Sequence, residues 1–267
     1  MKRSVFPLTV MAFGYAFLYL PIAVLIAYSF NDNRLVTVWS QFSFRWYGEL
    51  FHNTQILDAL LLSLRIAATS ATVSVVLGTM AAFAMQRMGR FFGRSPFEAL
   101  AMTPLILPEV LTGLSLLLLF VFLGETLGWP GQRGADTITL AHIPFGMAYA
   151  IVVIRARLSQ LDPSLEEAAA DLGATPWRTF RRVTLPLLMP AIMAAWLLAF
   201  TLSFDDVVIA SFVTGPGAST LPIVIFSSVR LGVSPQINAL ATLLVLSVAM
   251  LIVAATLLMQ RAGRPAR

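Results

Sequence analysis

Three carboxylates stand in stretches that are otherwise almost free of charge. Glu109 lies within Ala99 to Gly124, and the adjacent Asp205 and Asp206 close the run from Val183 to Phe204. A charge at the centre of a bilayer costs roughly 2.5–3.5 kcal/mol on insertion scales, so such residues face a cavity or a partner. Glu109 follows Pro104 and Pro108, which break or kink a helix and free backbone carbonyls nearby. Asp205 and Asp206, read on one continuous helix, point about 100° apart. Two roles stay open for the pair: lining a path for a cationic cargo, or capping the end of a span and pairing with Arg65 or Arg230. For Glu109 the path reading is favoured. His142 reads as an interhelical hydrogen-bonding residue rather than a proton relay.

The same inventory excludes other chemistry. There is no Cys, which removes disulfides, thiolate metal sites and Cys nucleophiles. The two His residues, His52 and His142, are far apart in sequence and lack metal-ligand spacing. Lys2 is the only Lys, so no Walker A loop, with its Lys after the last Gly, is present. No catalytic group and no metal site is expected.

The elements that must position these groups follow from composition. Of 267 residues, 58% are hydrophobic and only 12% charged, with mean hydropathy +0.83. A soluble domain carries about a quarter charged residues, and a disordered chain is poor in apolar ones; both classes are excluded. Long apolar runs predict an all-α membrane protein with six spans at about 5–30, 60–86, 98–124, 137–157, 184–213 and 236–260, in a single domain over 1–267. The first run is too long for a signal-peptide core and reads as a retained anchor. Ser219 to Gly232 is too short to span and reads as re-entrant or interfacial. Gly78, Thr79, Ala81 and Ala82 are small residues suited to close helix contact.

Orientation comes from the bases, 17 Arg and one Lys for a net charge of +5. Lys2, Arg3, Arg87, Arg90, Arg94, Arg155, Arg157, Arg178, Arg181, Arg182, Arg261, Arg264 and Arg267 fall on one set of connections. Arg34, Arg45, Arg65, Arg133 and Arg230 fall on the other. This bias, 13 against 5, predicts cytoplasmic N- and C-termini. The clusters alternate with apolar runs, so they do not form a nucleic-acid patch. The external stretch Asn31 to Gln55 holds Trp39, Phe42, Phe44, Trp46 and Tyr47. It reads as an interfacial aromatic belt, with a docking surface as the sharper alternative.

The connection at 158–185 carries the densest local code. Asp162-Pro163-Ser164 starts a helix, with Asp as N-cap and Pro at the first helical position. Glu166 and Glu167 sit in its first turns, Ala168 to Ala170 favour helix, and Gly173 suits a left-handed C-cap. Thr175-Pro176 then starts a second short helix. The connection is therefore expected to be a helix–turn–helix.

This hairpin fits the pattern E-A-A, three residues, G, nine residues, I, one residue, L-P, through Glu167-Ala168-Ala169, Gly173, Val183 and Leu185-Pro186, with Val for Ile as the one departure. In this it resembles the membrane subunits of bacterial ABC importers that depend on a binding protein. Leu35-Val36-Thr37-Val38-Trp39, Arg45 to Leu50, Leu107 to Ser115, Ser203 to Phe212, Gly215-Pro216-Gly217 and Ile237 to Thr242 look like the polyamine importers, and most like the second permease of a putrescine-type system.

The resemblance covers essentially the whole chain and implies a type I ABC importer permease fold in the bacterial inner membrane. It implies a non-catalytic permease for putrescine or spermidine, with a coupling helix between the fourth and fifth spans. Glu166, Glu167, Ala168, Ala169, Asp171 and Gly173 would form the ATPase-coupling segment. Glu109, Asp205 and Asp206 would be the substrate-path candidates. The implied partners are a homologous permease, two ATPases that bind ATP and Mg, a periplasmic polyamine-binding protein and the bilayer. No cofactor is expected in this chain and no nucleic acid. Another small cationic or opine-like solute is the alternative cargo. An ion-coupled secondary transporter is a more distant reading that leaves the hairpin unexplained.

Overall fold

The structure, a computed structural model, describes residues 5–35, 38–89, 91–231 and 234–262. Lys2, Arg3, Val36, Thr37, Arg90, Gly232, Arg264 and Arg267 lie outside them. The regular structure among the described residues is helical. Six helices there are long and apolar enough to cross a membrane: Phe6–Tyr28, Thr54–Arg87, Glu109–Leu127, Ala135–Leu158, Pro176–Phe204 and Pro235–Val253.

One compact unit comprises 1–57 with 225–267. Here α1 (Val5–Tyr28) and the short α2 (Arg45–His52) pack on α12 (Pro235–Ala262). α1 is apolar on every side and exposed along its membrane-length window, as expected of a helix surrounded by lipid or by other spans. Trp46 is 3% exposed, and its indole N–H donates to the Asn31 carbonyl at 2.7 Å. The Asn31 amide in turn donates to the Val38 carbonyl at 2.7 Å. Trp39, Phe42 and Phe44 remain exposed.

The second unit, 58–224, holds the remaining spans. They are α3 (Thr54–Arg87, which begins just before it), α5 (Glu109–Leu127), α6 (Ala135–Leu158) and α9 (Leu185–Phe204), and the unit also holds the shorter α4 (Arg94–Ile106) and α10 (Val208–Val213). Between α6 and α9 lie α7 (Ser164–Asp171), α8 (Pro176–Thr179) and a π-helical turn at Phe180–Thr184. α11 is Leu221–Leu231. α6 is the central post, burying Ile138, Ala141, Ile151, Ile154 and Leu158.

Small residues let its neighbours close in. A Cβ built on Gly78 of α3 would lie 2.7 Å from Ala150 Cβ. One built on Gly146 would lie 2.7 Å from Ser74 Oγ and 3.3 Å from Ala199 Cβ.

Two of the six apolar runs are broken rather than continuous. The run at 98–124 divides at Leu107–Pro108, where Leu107 is extended with ψ 137°. A residue before proline is pushed out of the helical region, and Glu109 then opens α5. The run at 184–213 divides between Phe204 and Val208. Asp205 and Asp206 therefore do not share one continuous helix, and the angle of about 100° for adjacent helical residues does not describe them.

Candidate functional site

The hairpin between α6 and α9 is built by caps. Asp162 Oδ1 accepts the Ser164 N–H at 2.9 Å, and Pro163 already has helical dihedrals. The Ser164 backbone N–H, and then its hydroxyl, hold the Asp162 carboxyl below its ordinary range. α7 closes with both bonds of a Schellman motif. Gly173 N–H donates to the Ala170 carbonyl at 2.8 Å, and Ala174 N–H to the Ala169 carbonyl at 3.0 Å. Gly173 sits at φ +78°, where glycine alone meets no steric penalty. Thr175 caps α8 through Arg178 N–H, with Pro176 in the first turn.

The two faces of α7 differ. Glu166 turns inward: Oε1 accepts the Thr184 hydroxyl at 2.9 Å, and Oε2 lies 3.3 Å from Arg87 Nε. That approach is an ion pair without hydrogen-bond alignment, since Arg87 Nε is buried and has no hydrogen-bond acceptor among the described residues. Phe180 packs edge-on to Phe83 at 5.5 Å and stacks on Trp177 at 5.7 Å. Phe83, Glu166, Ala170, Ala174, Phe180 and Thr184 line a cavity of about 270 Å³.

Glu167, Ala168 and Asp171 are exposed, and Ala169 is half-buried. Glu167 forms no ion pair among the described residues. Leu172 is 90% and Trp177 68% exposed.

A second constellation surrounds the break between α9 and α10. Asp206 caps α10: Oδ1 accepts Ile209 N–H at 3.2 Å and Oδ2 accepts Ala210 N–H at 2.7 Å. His142 Nε2 lies 3.2 Å from the same Oδ2, while Nδ1 lies 2.7 Å from Ser203 Oγ. Ser70 Oγ donates to Ser203 Oγ at 2.9 Å. The donor order Ser70 to Ser203 to His142 to Asp206 satisfies each group, which assigns the imidazole N–H to Nε2, facing the Asp206 carboxylate.

Asp205 is exposed at the C-terminus of α9, and Glu109 is exposed in the first turn of α5. Neither forms an ion pair among the described residues, and neither Asp pairs with Arg65. α5 and α10 touch at Gly113, where a Cβ would lie 2.6 Å from Phe212 Cδ2 and 3.4 Å from Ile209 Cα. Glu109 precedes Gly113 by four residues on α5, which is about 6 Å of helical rise, while Asp205 stands in the break before α10.

Sequence reasoning did not single out Ser70, Ser203, Arg87 or Thr184 for these contacts. Each is an ordinary residue at a span end or on a helix face until its partner, 18 to 133 positions away, is brought to it.

The chain is similar to known proteins along most of its length. The family described as "Binding-protein-dependent transport system inner membrane component" matches residues 74–265. The putrescine transport system permease protein PotI of Escherichia coli (strain K12) is 55% identical over 262 residues, covering 98% of this chain and 93% of that protein. The spermidine/putrescine transport system permease protein PotC of the same strain is 43% identical over 240 residues, covering 89% and 88%.

Solved structures share the fold at low identity. A chain of a bacterial ABC transporter that imports the acidic polysaccharide alginate aligns with TM-score 0.69 and 15% identity, over 96% of this chain and 95% of that one. A chain of the inward-facing methionine transporter MetNI aligns with TM-score 0.60 and 17% identity, over 78% and 95%.

Proposed function

Because the chain belongs to the family of binding-protein-dependent transport system inner membrane components, we propose that it is the multi-pass permease subunit of an ATP-driven importer that moves putrescine or spermidine into the bacterial cytoplasm. It is a non-catalytic membrane subunit. ATP and Mg are bound by two partner ATPases, and a homologous permease completes the pathway. A periplasmic binding protein delivers the polyamine. The bias of the bases supports a cytoplasmic position for the 158–185 hairpin, on the side of the ATPases.

The observation that carries this reading is the hairpin itself. A short helix capped at both ends moves as a unit rather than dissipating force as a flexible loop does. Its Glu167, Leu172 and Trp177 are exposed and suited to seat in an ATPase cleft. Closure of the ATPases on ATP would push α7, and hydrolysis would release it.

The cargo assignment draws on the broken spans. A polyamine is a flexible chain of methylenes between ammonium groups, so it needs spaced carboxylates and apolar walls. Glu109 is an exposed carboxylate one turn ahead of the α5–α10 contact at Gly113, and Asp205 is an exposed carboxylate in the break before α10. α9 ends at Asp205, and the negative end of a helix favours a cation. Asp206 is engaged by His142 and by α10, so its role is to hold the break while Asp205 faces the path.

The test is ATP-dependent uptake of labelled putrescine and spermidine by the full complex in proteoliposomes, with its binding protein. Uptake by wild type and its loss in Asp205→Asn, with ATP hydrolysis retained, is the expected result. ATP hydrolysis without uptake of either polyamine would move the cargo to another small cationic or opine-like solute.

A further inference from the structure

We propose that Arg87 and Thr184 are positioning residues that latch the coupling hairpin to two spans at once, with the Glu166 carboxylate as the shared catch. This rests on the reading of the hairpin as the ATPase contact. It assigns Glu166 a task different from its neighbour Glu167: Glu166 grips the permease and Glu167 faces the motor.

The geometry is specific. Arg87 closes the last turn of α3, and Thr184 closes the π-helical turn that leads into α9. The two oxygens of one carboxylate on α7 are divided between them, at 3.3 Å and 2.9 Å. Arg87 also reaches the Leu161 carbonyl, at 3.5 Å, just ahead of α7. Thr184 is 2% exposed, and the ion-paired side chains are 17% and 25% exposed. This is not a solvent-screened surface pair, whose worth is close to nothing. Removing either partner leaves a charge or an acceptor in a half-buried place without its complement.

Without the latch, α7 is joined to the spans through its two flanking connections and its packing on α8 and the π-helical turn. The connection from Ser159 to Pro163 is a turn rather than a helix, so a push on α7 would be absorbed there. With the latch, displacement of α7 moves the ends of α3 and α9 together. α9 is the span that ends at Asp205, so the latch connects the docking face to the helix that bears the path carboxylate.

The test compares uptake per ATP hydrolysed for wild type, Arg87→Gln, Thr184→Val and the charge swap Arg87→Glu with Glu166→Arg. All are measured in the assembled complex in proteoliposomes with saturating binding protein. Co-purification of the ATPases serves as the assembly control. In the two single variants the ATPases are expected to stay bound, with hydrolysis within about twofold of wild type. Uptake per ATP is expected to fall roughly tenfold, in the range by which residues in a coupling network alter it. The charge swap is expected to recover a substantial part of that ratio, which a generally damaged hairpin would not do.

An unchanged ratio in both single variants overturns the latch while leaving the permease assignment intact. If Arg87→Gln does not assemble, Thr184→Val decides alone, and a wild-type ratio there overturns the latch. A wild-type complex that neither retains ATPases nor takes up polyamine overturns the function reading itself, and the latch with it.

Discussion

Replacing Gly173 by Ala leaves every side-chain contact of the hairpin in place and changes only the backbone. A Cβ at this position meets nothing within 4 Å, and φ is +78°. The cost is therefore that of holding an L-residue in the left-handed region, roughly 1–2 kcal/mol. Two bonds depend on that conformation, Gly173 N–H to the Ala170 carbonyl and Ala174 N–H to the Ala169 carbonyl. If they break together when the α7 end opens, a loss of this size raises their hydrogen exchange about 5–30-fold. Hydrogen-exchange mass spectrometry on the peptide spanning 164–175 in detergent reads it directly. A series of Asn, Ala and Val at 173 separates backbone from bulk. Asn enters the left-handed region more readily than Ala despite being larger, and β-branched Val is the worst tolerated there. Protection should fall in the order Gly, Asn, Ala, Val. An order in which Ala is better protected than Asn would refute the cap argument and point to crowding instead.

Two further outcomes follow from the packing in unit 58–224. Gly113→Leu should lower the melting temperature, because even a Cβ there would lie 2.6 Å from Phe212 Cδ2 and overpacking costs typically about 1–3 kcal/mol; pairing Gly113→Ala with Phe212→Leu should recover much of the stability that Gly113→Ala loses alone. Asp206→Ala should destabilise markedly, since a lost cap costs about 0.5–2 kcal/mol and an orphaned buried partner about 1–3 kcal/mol. Asp205→Ala should leave the melting temperature near wild type, and an equal drop in both would contradict the division of roles between the two carboxylates.

What could be read from the sequence was what neighbours in sequence decide. The six apolar runs are set by composition alone. The hairpin was legible because its caps are local: Asp162 reaches Ser164, Thr175 reaches Arg178, and Gly173 needs only its own φ. The break before Glu109 was foreshadowed by Pro108. The break at 205–207 was not, because Phe204-Asp205-Asp206-Val207 contains neither Gly nor Pro. What marks the break is Asp206, whose side chain caps the start of α10, and an Asp is a weaker sequence signal of a break than Gly or Pro. The inward turn of Glu166 was illegible for another reason. Its partner Arg87 is 79 positions earlier, and no local rule distinguishes it from Glu167.

The two adjacent aspartates show why a charge count does not locate a transport path. Both stand at the same break, yet the backbone on either side treats them oppositely. Asp206 meets the free N–H groups at the start of α10, a positive helix end that welcomes a carboxylate. With His142 it is satisfied, and a satisfied carboxylate has little left to offer an ammonium. Asp205 follows the last turn of α9, where the helix end is negative and the carboxylate finds no such stabilisation. A passing cation would relieve it. The helix break therefore does two things with one pair of residues: it anchors itself through the second acid and leaves the first in need of a counter-ion. Glu109 differs again, since it opens α5 and is stabilised there by the helix start while remaining exposed. If both line the proposed path, Asp205 is the more demanding partner for an ammonium and Glu109 the more relaxed one.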